Sequence, residues 1–151
     1  MIDKKLQGKK LLEFQMPVER GKIREFAWAV QDKSKMYSDP DFAVSKGFSG
    51  VPMPPTFPVT NGFHIDAENF VMELTQKLGM NVATSVHGEA QFIYERTVCA
   101  GEILRGEIHV GEIYEKESGN GKTMTFVEMK NLFFDSDNTL VITVNNLFIE
   151  R

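Results

Sequence analysis

The stretch Ile23–Phe57, IREFAWAVQDKSKMYSDPDFAVSKGFSGVPMPPTF, decides more about the fold than any other part of the chain. Ile23, Phe26, Ala27 and Val30 fall at i, i+3, i+4 and i+7, which predicts a short helix with one apolar face and Trp28 beside it. Asp39-Pro40 is a helix-start signal. An Asp side chain there accepts from the free N–H groups of the first turn, and Pro at the first helical position gives up only an N–H that has no partner anyway. The helix over Asp39–Lys46 is short, because Gly47 closes it and a Gly/Pro-rich loop from Gly50 to Pro58 follows.

Working outward, Leu11–Val18 predicts a first strand, stopped by Pro17 and the turn-prone Gly21. Phe63, Ala67, Phe70, Val71, Leu74 and Leu78 form the longest helical stripe, with Gly79 as its C-cap, and this is the helix placed at the centre. From Val82 the period changes from helix to strand. Val86, Gly88, Ala90, Phe92 and Tyr94 alternate along one side, and Cys99-Ala100-Gly101 ends the segment. Ile103–Glu115, Thr123–Phe134 and Leu140–Ile149 follow, separated by turns at Ser118-Gly119-Asn120-Gly121 and Asp135-Ser136-Asp137-Asn138. About five strands around one long central helix make an α+β fold with an antiparallel sheet.

The opening stretch resembles the active-site segment of the MaoC-like hotdog dehydratases, in their N-terminal-half type. In that family's (R)-specific hydratases the segment reads as an Asp, an Asn-Pro pair, a catalytic His five residues after the Asp, then Asp-Pro, Phe-Ala and finally His-Gly. Here Asp32 keeps the Asp, and Asp39, Pro40, Phe42 and Ala43 keep the frame. Ser34 and Lys35 stand in place of Asn-Pro, Tyr37 in place of the His, and Pro54-Pro55 in place of His-Gly. Further on, His87-Gly88-Glu89, Gln91-Phe92, Tyr94, Arg96 and Ala100-Gly101-Glu102 are similar to the family's His-Gly-Glu-Gln, aromatic, Arg-Pro and Gly-Asp pattern, with Thr97 for the Pro and Glu102 for the Asp. The resemblance implies a hotdog fold over residues 1–151 as a single domain, an acyl-CoA or acyl-carrier-protein thioester as ligand, and no cofactor. It also implies a homodimer, or a heterodimer with a catalytic MaoC-like subunit.

Chemistry qualifies what the resemblance implies. Moving water on or off an acyl thioester needs an acid–base group near neutral pKa and a donor for the oxygen that becomes an enolate. Tyr37 is a poor substitute for His, since a free phenol titrates at roughly 10. Pro55 has no N–H to offer in place of the Gly. The candidate catalytic residues are Asp32 and Tyr37, and Pro55, Thr56, Phe57 and Gly62 are the candidate substrate-binding residues. Three functions follow: a dehydratase subunit that shapes the acyl channel while its partner supplies the His; an acyl-binding hotdog without turnover; and a thioesterase using Asp32, or Asp66 and Glu68 near the central helix.

Each of these residues also has a plain structural role open to it. Asp32 is equally a surface carboxylate after a helix, and Tyr37 a space-filling phenol whose natural partner is Asp32. His87 lies by alternation opposite the Val86–Tyr94 face, while His64 and His109 are isolated and show no metal-ligand spacing. The 8 Met and 12 Phe residues suit an acyl tunnel and an ordinary core alike.

Composition narrows the setting. A chain of 151 residues with 42% hydrophobic content supports one core, and its net charge of −4 provides no basic footprint for nucleic acid or an anionic membrane surface. The basic pairs Lys4-Lys5 and Lys9-Lys10 read as a solvated entry segment, and Met1–Lys10 lacks the apolar core of a secretion signal. Cys99 is the single cysteine, which excludes an internal disulfide and points to the cytoplasm.

Overall fold

The long segments rich in β-branched and aromatic residues pair into one antiparallel sheet. In the computed structural model, which describes residues 2–119 and 121–151, the strands are β1 (Lys10–Pro17), β2 (Ser85–Tyr94), β3 (Ile103–Glu117), β4 (Thr123–Phe134) and β5 (Leu140–Glu150). Their order is β1-β3-β4-β5-β2, so β1 and β2 form the two edges. The turn predicted between β3 and β4 includes Asn120, which lies outside the described residues, as does Met1 of the N-terminal segment. Lys4 of that segment is tied to the sheet by an ion pair with Glu115 at 3.0 Å.

Alternation decides which sheet face is apolar. Leu104, Ile108 and Val110 of β3, Val127, Met129 and Phe133 of β4, and Ile142 and Val144 of β5 are buried against Ile23 of the first helix and Leu74 and Leu78 of the last. Two of the sheet's four register shifts decide faces that matter here. The first, on β3, lets Val110 and Ile113 both face the core, and Gly111 allows the close approach of Glu128. The second lies at Gly88, where His87 pairs with Phe148 and Glu89 already pairs with Leu147. That extra residue corrects the predicted alternation: His87 shares a face with Ala90, Phe92 and Tyr94 rather than opposing it. Its ring stacks on Phe148 at 4.9 Å and meets the Asn146 side chain at 3.2 Å.

The helices are α1 (Arg20–Ala29), α2 (Pro40–Ser45) and α3 (Phe70–Leu78). Ile23 and Ala27 bury the predicted face of α1, whereas Val30 at its C-cap and Trp28 are exposed, with the Arg24 guanidinium 4.2 Å over the Trp28 ring. The Asp39 side chain accepts from the Phe42 N–H at 3.1 Å with Pro40 next in line, as expected of a cap. The stripe predicted from Phe63 to Leu78 divides. Phe57–His64 is a 3-10 helix, and α3 begins only at Phe70, where Asn69 caps the Met72 N–H. Asn69 competes for the backbone and restarts the helix, which leaves Phe63 89% exposed. Gly79 closes α3 in the left-handed region at φ 70°.

Candidate functional site

The Gly/Pro-rich loop is held in place from below. Met53 donates its N–H to Val98 at 2.8 Å, and Ala100 donates to Val51 at 2.8 Å, so residues 98–100 run alongside the loop. That segment is locked in turn by Arg96, whose guanidinium reaches Glu102 at 2.7 Å and Asp135 at 3.0 Å, while Glu102 accepts from the Cys99 N–H. Bidentate pairing of this kind fixes geometry as well as adding energy. On the other side, the 3-10 turn Lys35–Tyr37 is capped by the Ser34 hydroxyl.

Between these three pieces lies a cavity of about 290 Å³. Met36 and Tyr37 come from the turn, Phe48, Pro52, Met53 and Pro55 from the loop, and Tyr94, Thr97 and Val98 from the end of β2 and the segment after it. The Tyr94 hydroxyl donates to the Pro55 carbonyl at 2.9 Å, which closes the cavity on that side. Burial, with the neighbouring Tyr37 adding to it, pushes the Tyr94 phenol far above its ordinary value. Tyr37 is also raised, by burial first and then by the negative charge of Asp32.

The structure brings Tyr37 and Pro55 together and separates the other predicted site residues. Asp32 is exposed, and its carboxylate accepts from the Ser34 N–H at 2.9 Å; no hydrogen bond joins it to Tyr37, contrary to expectation. The tight turn that follows Gln31, at φ 63°, points Asp32 back into its own loop. Thr56 is exposed and makes no side-chain cap bond. Gly62 packs beneath the Phe70 ring, where a Cβ would come within 2.9 Å. Phe57 is 2% exposed, meets Phe26 edge-on at 5.4 Å, and lines a second, larger cavity of about 680 Å³ with Glu19, Lys22, Thr60 and His64.

His64 is not isolated, because it borders both that cavity and a third beneath β1 that Asp66 also lines. Burial lowers its pKa, with Glu19 opposing. Asp66 and Glu68 are exposed residues of the loop before α3 rather than of the helix itself. Tyr94 is the site residue that sequence reasoning missed. Its alternation with Phe92 marked it as inward-facing, but the partner on the Pro55 carbonyl is 39 residues away. Among the described residues no cluster of three His, Cys, Asp or Glu side chains is arranged to hold a metal, and no helix is long and apolar enough to cross a membrane.

Comparison with known proteins follows the same outline. A family model described as the FAS1-like dehydratase domain region matches residues 5–144. A UPF0336 protein of Saccharopolyspora erythraea is 39% identical over 103 residues, covering 68% of this chain and 64% of that protein. The chain spans roughly half to two thirds of the length of the curated relatives it first matches. Among solved structures, a chain of the C-terminally truncated HadBC complex of Mycobacterium tuberculosis, a (3R)-hydroxyacyl-ACP dehydratase, superposes with a TM-score of 0.74 at 19% identity, covering 95% of this chain and 96% of that one. A MaoC-like dehydratase superposes with a TM-score of 0.71 at 25% identity, over 96% of this chain and 41% of the other.

Proposed function

The chain belongs to the FAS1-like dehydratase-region family, as a MaoC-like hotdog protein of the dehydratase and hydratase kind, and on that premise we propose that it is the acyl-channel subunit of a (3R)-hydroxyacyl-thioester dehydratase. It binds and shapes the channel, and a second MaoC-like chain supplies the catalytic Asp and His. The ligand is an acyl thioester of CoA or of a carrier protein, and the buried lone thiol Cys99 fits a cytoplasmic setting.

The observation that carries this reading is the chemistry of the Tyr37 cavity. Its wall contains Tyr37, Tyr94 and Pro55 but neither an imidazole nor a carboxylate. A phenol raised above its usual value does not serve as a base near pH 7, and Pro55 has no N–H for a developing enolate oxygen. The wall is therefore suited to holding an acyl group rather than to moving its protons. The HadBC complex is a dehydratase of this fold, which supports partnership as the way the missing groups are supplied.

The test is purification of the chain alone and co-expressed with a MaoC-like subunit that carries the Asp and His motif, followed by crotonyl-CoA hydration. Turnover is expected from the pair and not from the single chain. Turnover by the chain alone, abolished by Asp32→Ala, would instead establish a self-sufficient enzyme.

A further inference from the structure

Three of the residues lining the Tyr37 cavity carry polar side chains: Tyr37, Tyr94 and Thr97. Thr97 is exposed, so its hydroxyl is open to solvent rather than held within the wall. Tyr94 has committed its proton to the Pro55 carbonyl, so within the cavity its oxygen is an acceptor only. The Tyr37 hydroxyl has no hydrogen-bond partner among the described residues, although its ring packs against the main core. Its proton is retained, because burial and the charge of Asp32 both oppose ionisation. Tyr37 is thus the half-buried, uncommitted neutral donor of a largely apolar wall.

That combination selects its ligand by charge. No cation lines the cavity to receive an anion, and the Asp32 carboxylate acts on Tyr37 with the same sign as an anionic ligand would carry. Burying an unpaired charge there is costly, whereas a neutral carbonyl satisfies the donor at no such cost. The rest of the lining, Met36, Phe48, Met53 and Val98 among it, suits the hydrocarbon on either side of a carbonyl.

We propose that this cavity binds the carbonyl of an acyl thioester, with the Tyr37 hydroxyl donating to the carbonyl oxygen and Tyr94 holding the Pro54-Pro55 loop as the facing wall. The proposal rests on the acyl-thioester reading above and names the contact through which the ligand is recognised. It also distinguishes thioester from free acid: the hydrolysed, anionic acyl group is rejected. Tyr94 is a positioning residue, acting through Pro55.

Three small probes test it on the chain alone, with no partner and no turnover: the crotonyl thioester of N-acetylcysteamine, the matching thioether without the carbonyl, and crotonate. The wild-type chain is expected to bind the thioester about fivefold or more tighter than the thioether, the worth of one net hydrogen bond, and crotonate most weakly. Tyr37→Phe should erase the preference for thioester over thioether while leaving thioether affinity unchanged. Tyr94→Phe should weaken both probes together, since the wall is loosened and the donor kept. A wild-type chain that does not distinguish the three probes, or binds none of them, overturns the proposal without any variant having to fold. A preference that survives in Tyr37→Phe overturns it as well. Failure of the co-expression assay leaves all of these outcomes unaffected, so the two ideas fail separately.

Discussion

Returning the imidazole alone will not make this chain a hydratase. In Tyr37→His the new base would enter a cavity whose opposite wall is Pro55, with no N–H to give and a carbonyl already taken by Tyr94 at 2.9 Å. Loss of one donor to a developing oxyanion is worth roughly 10²–10³ in rate. The carboxylate that would orient the imidazole is also unavailable, because Asp32 is exposed and holds the Ser34 N–H. The informative comparison is therefore between Tyr37→His and Tyr37→His/Pro55→Gly, assayed for crotonyl-CoA hydration. The single variant is expected at background, and the double variant faster by the donor's worth, roughly 10² or more. Pro55→Gly should cost about 0.4–1 kcal/mol of stability by freeing the unfolded chain, so thermal melting must accompany the assay. Equal turnover above background in the two variants, or clear turnover in Tyr37→His alone, would refute the reasoning, since it would show that the backbone donor at residue 55 is dispensable.

The chain should be dimeric or larger at micromolar concentration. Edge strand β2 exposes Ala90 and Ile93, the latter 40%, beside unpaired backbone groups, whereas edge strand β1 is guarded by Lys10 and Glu13; a monomer by light scattering would count against β2 as a pairing edge. Gly106→Ala should destabilise by about 1–3 kcal/mol in denaturant unfolding, because the buried Phe14 ring lies over it and a Cβ would run into its tip. In a Phe14→Leu background most of that penalty should vanish, and full additivity would show that the ring is not its cause. Glu107 is held down to about 2 from 4.5, first by the hydrogen bond with His109 and then by Arg105 and Lys10, with burial opposing. Its folded-state pKa is depressed, so its stabilisation is present above 4.5 and is lost as pH falls towards 2. Glu107→Gln should flatten that part of the stability profile, and an unaltered acid limb would contradict the assignment.

Local chemistry made much of this molecule legible from residue order alone. Asp39-Pro40 and Gly79 mark helix ends because capping involves only neighbouring backbone groups, and the structure places both as expected. The strand predicted over Thr123–Phe134 coincides with β4, since alternation and flanking turns are also short-range signals. The split of the Phe63–Leu78 stripe was hidden because spacing carries no cost for an interruption, and Asn69 supplied one. The resemblance in Ile23–Phe57 marked Tyr37 and Pro55 as the altered positions, yet spacing alone does not say that they share a cavity while Asp32 turns away.

Those outcomes were decided by long-range geometry. Sheet order placed β2 at an edge, and the bulge at Gly88 put His87 on the same face as Tyr94. The loop carrying Pro55 is set beside Tyr94 by the pairing of Val51 and Met53 with residues 98–100. Sequence by itself determined the strands and the capped helix ends, because capping, turns and alternation are settled within a few residues. Only the tertiary structure determined which polar groups meet, because a hydrogen bond between residues 39 positions apart exists only where the fold packs the loop against the end of β2.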